Sequence, residues 1–430
     1  MLVILLGRFS LCAQPTGLAS DAPQLRIRSD FPGGSARVLG IDQDNNTVRI
    51  TPADDPKRGL PCWWYFRIDG VDTTKPLVLE VTANEGITQT GIPGQTRKAP
   101  AEYSLPAYAA FSADGTHWQH TARGKRQGSR SVYQINASTP GLWLAWGPPF
   151  TLTNANQLIQ QACARCPYAK SFVLARTHGN RPVPGMRISQ PGSTGSPRYS
   201  VWIQARQHAW ESGSSWVAQG FVEWLLSNDP AAESLRQKAD IVVIPVMDVD
   251  NVEEGQGGKE QIPHDQDEDW NTSPYFPEVA AGESRLSALA KADQLDLFLD
   301  LHNPGYSGRD IEFYIAPTPL LFPERVANEQ NFFTIVKEQM TGGIKYNGKI
   351  GPDSDVYNPE TNRCVDAWVA AQSRPYVVSL TMETPWNISA GTQAGYLKTG
   401  EQMGRSINLY LQATNRPGAS QFLDRSDRRW

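Results

Sequence analysis

The chain changes character near its middle in how apolar and polar positions alternate. From residue 151 onward, short continuous apolar runs alternate with longer stretches in which apolar positions recur at helical spacing. The runs 171–176, 199–206, 240–245, 295–301, 313–316 and 376–382 predict strands. The stretches 154–164, 213–227, 283–293, 323–340 and 391–412 predict helices, the second with Val217, Phe221, Val222, Leu225 and Leu226 on one face. Strands that read as unbroken apolar runs are covered on both sides. This part therefore predicts an α/β fold, a mixed sheet with helices on both faces. One irregular segment, 248–282, rich in Gly, Asp and Glu, interrupts the pattern. A loop of that length in a compact domain is usually functional.

Residues 25–150 read differently. Runs at 36–39, 47–50, 62–68, 77–81, 108–112 and 142–146 are separated by clusters of Gly, Pro, Asn and Asp, which predicts an all-β sandwich. The aromatic run Trp63-Trp64-Tyr65-Phe66 is expected in its core rather than on a carbohydrate-binding surface. Pro148-Pro149-Phe150 marks the boundary. The expected organisation is a terminal segment 1–24, a β-sandwich domain 25–150, an α/β domain 151–415 and a C-terminal tail 416–430. The terminal segment is apolar from Met1 to Gly7, is interrupted by Arg8, and offers Gly17-Leu18-Ala19 at cleavage spacing. It reads either as a signal peptide of an exported protein or as an irregular, disordered terminus of a cytoplasmic one.

Composition narrows the partners. Of 430 residues, 40% are hydrophobic and 20% charged, enough to bury a sizeable core. A net charge of −4 with no polybasic run gives no surface to propose for nucleic acid. No stretch is long enough for a membrane span. Cys163 and Cys166 stand with two residues between them at the end of a predicted helix, which suits free thiols or a local disulfide. Cys62 and Cys364 stand alone, so a four-thiolate site is not expected.

The candidate chemistry lies where apolar runs stop. After 199–203 the chain reads Gln204-Ala205-Arg206-Gln207-His208-Ala209-Trp210-Glu211-Ser212, a strand, a corner and a helix start. An imidazole and a carboxylate three residues apart at a corner can reach one cation from the same side. Catalytic zinc commonly has three protein ligands of N and O type. His302 offers the third, in Asp300-Leu301-His302 at the end of another run, before Asn303-Pro304-Gly305 forces a turn. A third run ends in Glu383. Sites at the carboxyl ends of strands are the rule for open α/β sheets.

With these residues in view, the chain resembles the zinc metallocarboxypeptidases, and among them the cytosolic-carboxypeptidase-like branch. The matching residues are Arg206-Gln207-His208 through Glu211-Ser212, Gly220-Phe221, Trp224-Leu225-Leu226, Ile244-Pro245-Val246-Met247-Asp248, Asp300-Leu301-His302 and Glu383-Thr384, over roughly residues 155–415. Trp63 to Ile68 and Ser112 to Trp118 resemble that branch's amino-terminal β-domain. The resemblance implies a zinc-dependent peptidase with Zn(2+) on His208, Glu211 and His302 and with Glu383 as general base. It further implies that Tyr357 caps the substrate, which would be a peptide or small amide.

One loop departs from the family pattern. Asp267-Glu268 stand where the family carries an Asn-Arg pair that grips the substrate's terminal carboxylate. Lys259 falls near the family's other Arg, which polarises the scissile carbonyl. An acidic pair repels a carboxylate, and a Lys supplies charge without the guanidinium fork. Three readings follow: selection of a cationic or amino-bearing group, replacement of the anchor by Arg285 or Arg309, or loss of turnover. The classes held beside the peptidase are a pseudoenzyme that binds zinc or peptide, and an amidase or deacylase on the same fold.

Overall fold

A computed structural model describes residues 24–53, 55–90, 95–191, 199–352, 358 and 364–413. The first 24 residues apart from Gln24, the tail 416–430 and Tyr357 lie outside the described residues. The N-terminal part is strand-rich: β1 (Arg26–Arg28), β2 (Arg37–Asp42), β3 (Thr47–Thr51), β4 (Tyr65–Asp69), β5 (Leu77–Thr82), β6 (Ile87–Gln89), β7 (Thr96–Lys98), β8 (Ala110–Ser112), β9 (Gln119–His120), β10 (Lys125–Gln127), β11 (Arg130–Ile135) and β12 (Gly141–Ala145), with one short helix α1 (Ala101–Ser104). They form sheets ordered β1-β4-β12-β8-β9 and β10-β11-β5-β3-β2, with β6 and β7 as a separate hairpin. Alternation fixes which face is inward. Leu77, Leu79 and Val81 of β5 and Phe66 and Ile68 of β4 are buried in one shared core, while Arg67 between the latter two is only half-buried. Trp63, Trp64 and Phe66 lie in that core, as expected for a sandwich rather than a sugar-binding face. The strand expected at 62–68 starts only at Tyr65.

The C-terminal part carries α2 (Leu152–Arg165), β13 (Ala169–Arg176), β14 (Pro182–Ile188), β15 (Tyr199–Ala205), α3 (Ser212–Leu225), α4 (Pro230–Lys238), β16 (Ala239–Ile244), α5 (Val249–Glu253), α6 (Pro277–Lys291), β17 (Leu297–His302), β18 (Ile311–Ile315), α7 (Pro323–Gln339), β19 (Tyr346–Pro352), α8 (Val365–Gln372), β20 (Val378–Glu383) and α9 (Gln393–Ala413). Its mixed sheet is ordered β13-β14-β16-β15-β17-β20-β18-β19. The central strands β16, β15, β17 and β20 run parallel, and every residue of the first three is buried, which is what helices on both faces require. α3 packs on β15 and β17 and against α9, while α8 packs on β17 and β20 beside α6.

The two parts share a joint of aromatics packed edge-to-face and at a tilt. Trp210 and Trp386 from the C-terminal part belong to the core of the strand-rich part. Trp386 lies 4.3 Å from Trp146, ring centre to ring centre, and donates its indole N–H to Pro304 O at 2.7 Å. Segment 248–282 is less irregular than expected. It contains α5 and the first turns of α6, which starts at Pro277 rather than near 283. Asp269 holds that start, accepting from the amides of Tyr275 and Phe276 at 3.0 and 2.8 Å. No helix among the described residues is long and apolar enough to cross a membrane. Cys163 and Cys166 carry free thiols.

Candidate metal centre and active site

Three neighbouring parallel strands deliver the site. β15 stops at Ala205 because Arg206 takes a left-handed backbone conformation (φ 68°), which turns the chain out of the sheet. The buried Arg206 guanidinium holds this corner, donating to Ala209 O at 2.6 Å and Phe150 O at 3.1 Å. His208 and Glu211 project from the corner, and α3 starts at the next residue. His302 and Glu383 end β17 and β20 and face each other in register. Asn303 ties the three ends together. Its amide N–H donates to Glu211 Oε2, its side-chain oxygen accepts from Ser214 N, and its side-chain nitrogen donates to Thr384 O.

The donor atoms converge. His208 Nδ1 and His302 Nδ1 are 3.2 Å apart, and each lies 2.9 Å from an oxygen of Glu211. The far ring nitrogens face carboxylates: His302 Nε2 is 2.9 Å from Asp300 Oδ2, and His208 Nε2 is 3.5 Å from Asp265 Oδ2. Burial opposes charge on His208, and so does Lys259, but Glu211 and Asp265 outweigh them and push the imidazole up to about 9. Burial likewise opposes charge on His302, which Asp300 and Glu211 raise well above its ordinary value. Burial alone would raise Glu211, yet the two imidazoles hold it well below the usual carboxylate range. Both rings thus sit among carboxylates that favour positive charge at this point. An N, N, O set this close, with carboxylates behind both rings, fits zinc, whose tetrahedral ligands sit roughly 3.4 Å apart.

Around this cluster the charge is mostly negative. Glu383 Oε2 is buried and has no hydrogen-bond partner among the described residues. Burial, then repulsion from Glu211, pushes its carboxyl up to about 7. Lys259 is half-buried; desolvation works against its charge, but Asp265, Glu211, Asp267 and Glu383 hold the ammonium above its ordinary value. Asp267 turns inward, accepting from Gln207 Nε2 at 2.9 Å, and one of its oxygens groups with Asp300 and His302. Glu268 is half-buried beside it, and burial with Asp265 nearby pushes its carboxyl up to about 7.

The expected residues His208, Glu211, His302, Glu383, Lys259 and Asp267 therefore share one region, with Glu268 at its side. The two alternative anchors separate. Arg285 lies 4.5 Å over the Phe172 ring on the outer strand β13, remote from β15 and β17. Arg309 is on the loop after His302, donating to the Tyr306 and Gly308 carbonyls. Sequence reasoning did not single out Asp265, Gln207 or Asn303. Gln207 links Asp267 to Asp300 and accepts from Trp270 Nε1 at 2.7 Å. Nothing in local spacing marks Asp265 among the other acids of 265–269.

Residues 155–282 match the family described as zinc carboxypeptidase. Over this stretch the chain is similar to the zinc carboxypeptidases. It is 32% identical to Homo sapiens cytosolic carboxypeptidase 1 over 312 residues, 65% of this chain and 25% of that protein. It is 26% identical to Danio rerio cytosolic carboxypeptidase 2 over 215 residues, 44% of this chain and 28% of that one. An uncharacterised protein of Zymomonas mobilis is 25% identical over 227 residues, 53% of this chain and 54% of that protein. The chain thus spans about half of the bacterial relative and about a quarter of the vertebrate ones. Among solved structures, a metallo-carboxypeptidase from Burkholderia cenocepacia superposes with a TM-score of 0.73 at 19% identity, covering 90% of this chain and 99% of that one. One from Pseudomonas aeruginosa gives 0.73 at 17%, with the same coverage. The likeness of fold to these two structures covers both parts of the chain.

Proposed function

We propose that the chain is a zinc-dependent hydrolase of carboxypeptidase type, cleaving a peptide or amide bond at the end of its substrate, with terminal-group specificity altered by Asp267 and Glu268. The observation that carries the reading is the convergence of His208, Glu211 and His302 beside Glu383. His208, Glu211 and His302 would hold zinc, which when bound polarises a carbonyl and acidifies water. Glu383 is the general base: its carboxyl near 7 can take a proton from the attacking water and return it to the leaving amine. Lys259, among four carboxylates, supplies positive charge to the carbonyl oxygen as a point charge, without the fork of an Arg.

Asp267 is engaged by Gln207, which leaves Glu268 as the acid freer to meet a substrate group. Such a wall repels a carboxylate and favours an amino or guanidino end. The same wall favours a second reading, hydrolysis of an acylated amine that has no free carboxylate. Tyr357 keeps its proposed substrate-capping role, and the name its relatives carry favours the cytoplasm over export.

The test is hydrolysis of a peptide panel by zinc-loaded protein, each peptide with a free and an amidated carboxyl end. Cleavage of amidated or basic-ended peptides is the expected result. Cleavage of free-acid ends alone would mean an anchor elsewhere, with Arg309 the candidate. No cleavage of any member contradicts the hydrolase and favours a zinc- or peptide-binding protein.

A further inference from the structure

Lys259 rides on a strip, 257–262, that is held from two sides. On one side stand residues of the strand-rich part. Gly258 N donates to Arg58 O at 2.8 Å, Leu60 N to Lys259 O at 2.7 Å, and Ile262 N to Lys57 O at 2.9 Å. On the other side stands the corner that carries His208 and Glu211, where Trp210 N donates to Gly257 O at 3.0 Å. Two glycines permit the contact. A Cβ on Gly59 would lie 2.4 Å from Gly258 N, and one on Gly258 would lie 2.7 Å from Ala209 N. No side chain fits between these backbones.

The next residue is the lock. Glu260 has φ 62°, a conformation that a non-glycine residue keeps only when its surroundings impose it. Its carboxylate turns toward the β6–β7 hairpin rather than toward His208 and Glu211. Thr88 Oγ1 donates to Oε2 at 2.7 Å, and the Arg97 guanidinium grips both oxygens. The Glu260 side chain is only 9% exposed, so losing Arg97 would leave this carboxylate, among the described residues, with the Thr88 hydroxyl as its hydrogen-bond donor.

We infer that Arg97 is a positioning residue for hydrolysis: through Glu260 it fixes the backbone turn that presents Lys259 to the cluster of His208, Glu211 and His302, which makes the strand-rich part a working piece of the active site. The inference rests on the role given to Lys259 above. A displacement of about 1 Å in a charged group at the reacting centre costs on the order of 100-fold in rate.

The experiment is a double-mutant cycle on zinc-loaded protein, using the best substrate of the panel, with zinc content measured for every variant. Hydrogen exchange of the Gly258 and Ile262 amides is followed in parallel. Arg97→Ala is expected to lower kcat about 10- to 100-fold with little change in KM or zinc content, and to speed exchange at both amides. Arg97→Lys should recover part of the rate. The Arg97→Ala/Lys259→Ala double variant should be no slower than Lys259→Ala alone, because Arg97 acts through that side chain. Wild-type kcat in Arg97→Ala, additive losses in the double variant, or unchanged exchange at both amides would each overturn the inference. If Lys259→Ala keeps full turnover, the role given to Lys259 fails and the inference falls with it. If Lys259→Ala is slow while Arg97→Ala is not, only the inference fails.

Discussion

Glu278 offers a quantitative test of how segment 248–282 is held. It lies in the first turn of α6, is 2% exposed, and accepts a hydrogen bond from Gln266 Nε2 at 2.7 Å. Its second oxygen has no partner among the described residues. Burial, with Asp248, Asp250 and Asp269 nearby, pushes the carboxyl up to about 8 from an ordinary 4.5. The folded protein therefore keeps this proton over a range in which the unfolded chain has lost it. Stability falls as pH rises from the unfolded pKa to the folded one, at about 1.4 kcal/mol per pH unit. That amounts to about 3 kcal/mol by pH 7 and levels off above pH 8. Glu278→Gln keeps the acceptor toward Gln266 and removes the titration. Its advantage over wild type should be near zero at pH 4.5, grow steadily, and level off above pH 8. Thermal unfolding of both proteins in parallel from pH 4.5 to 9 reads this directly. A difference that is flat with pH, or that grows toward acid, would refute the assignment of a protonated Glu278 beneath the loop.

Three further outcomes follow from the same geometry. Asp300→Asn weakens the carboxylate behind His302, so zinc affinity should fall about 10- to 100-fold while the fold persists, read by competition with a chromophoric chelator. Glu268 is charged above about pH 7 and neutral below it, so wild-type KM for a free-acid peptide should rise as pH passes upward through 7. The Glu268→Gln variant should show no such rise, as steady-state kinetics at pH 6 and 8 will show. Trp386→Ala removes a buried indole from the joint between the two parts and should cost about 3–5 kcal/mol, seen as a lower unfolding temperature.

The metal-binding framework was legible because chemistry and pattern coincide there. β15, β17 and β20 are buried parallel strands, so they read as unbroken apolar runs, and a polar residue at the end of each stands out against them. β14 was not legible. Pro182, Pro184 and Gly185 look like a turn, yet the segment forms an inner strand between β13 and β16. The start of α6 was hidden because its first turns lack apolar periodicity, although Pro277 at the first helical position is a start signal. The interior of 248–282 was not legible for another reason. Asp265 is buried against His208, and Gln266 and Asp269 are buried through partners farther along the same segment, Glu278 and the amides of Tyr275 and Phe276, while composition alone makes all three look like a solvated acidic loop. Arg97 belongs to the same class, since 163 residues separate it from Glu260.

The most direct test of the central claim is turnover by Glu383→Gln and wild type at matched zinc content. Both proteins are loaded to one zinc per chain, confirmed by metal analysis, and assayed on the same peptide. The account predicts that wild type cleaves it, and that Glu383→Gln binds zinc equally well while its kcat falls by about 100-fold or more. Equal turnover by the two proteins would remove Glu383 as the base and contradict the mechanism.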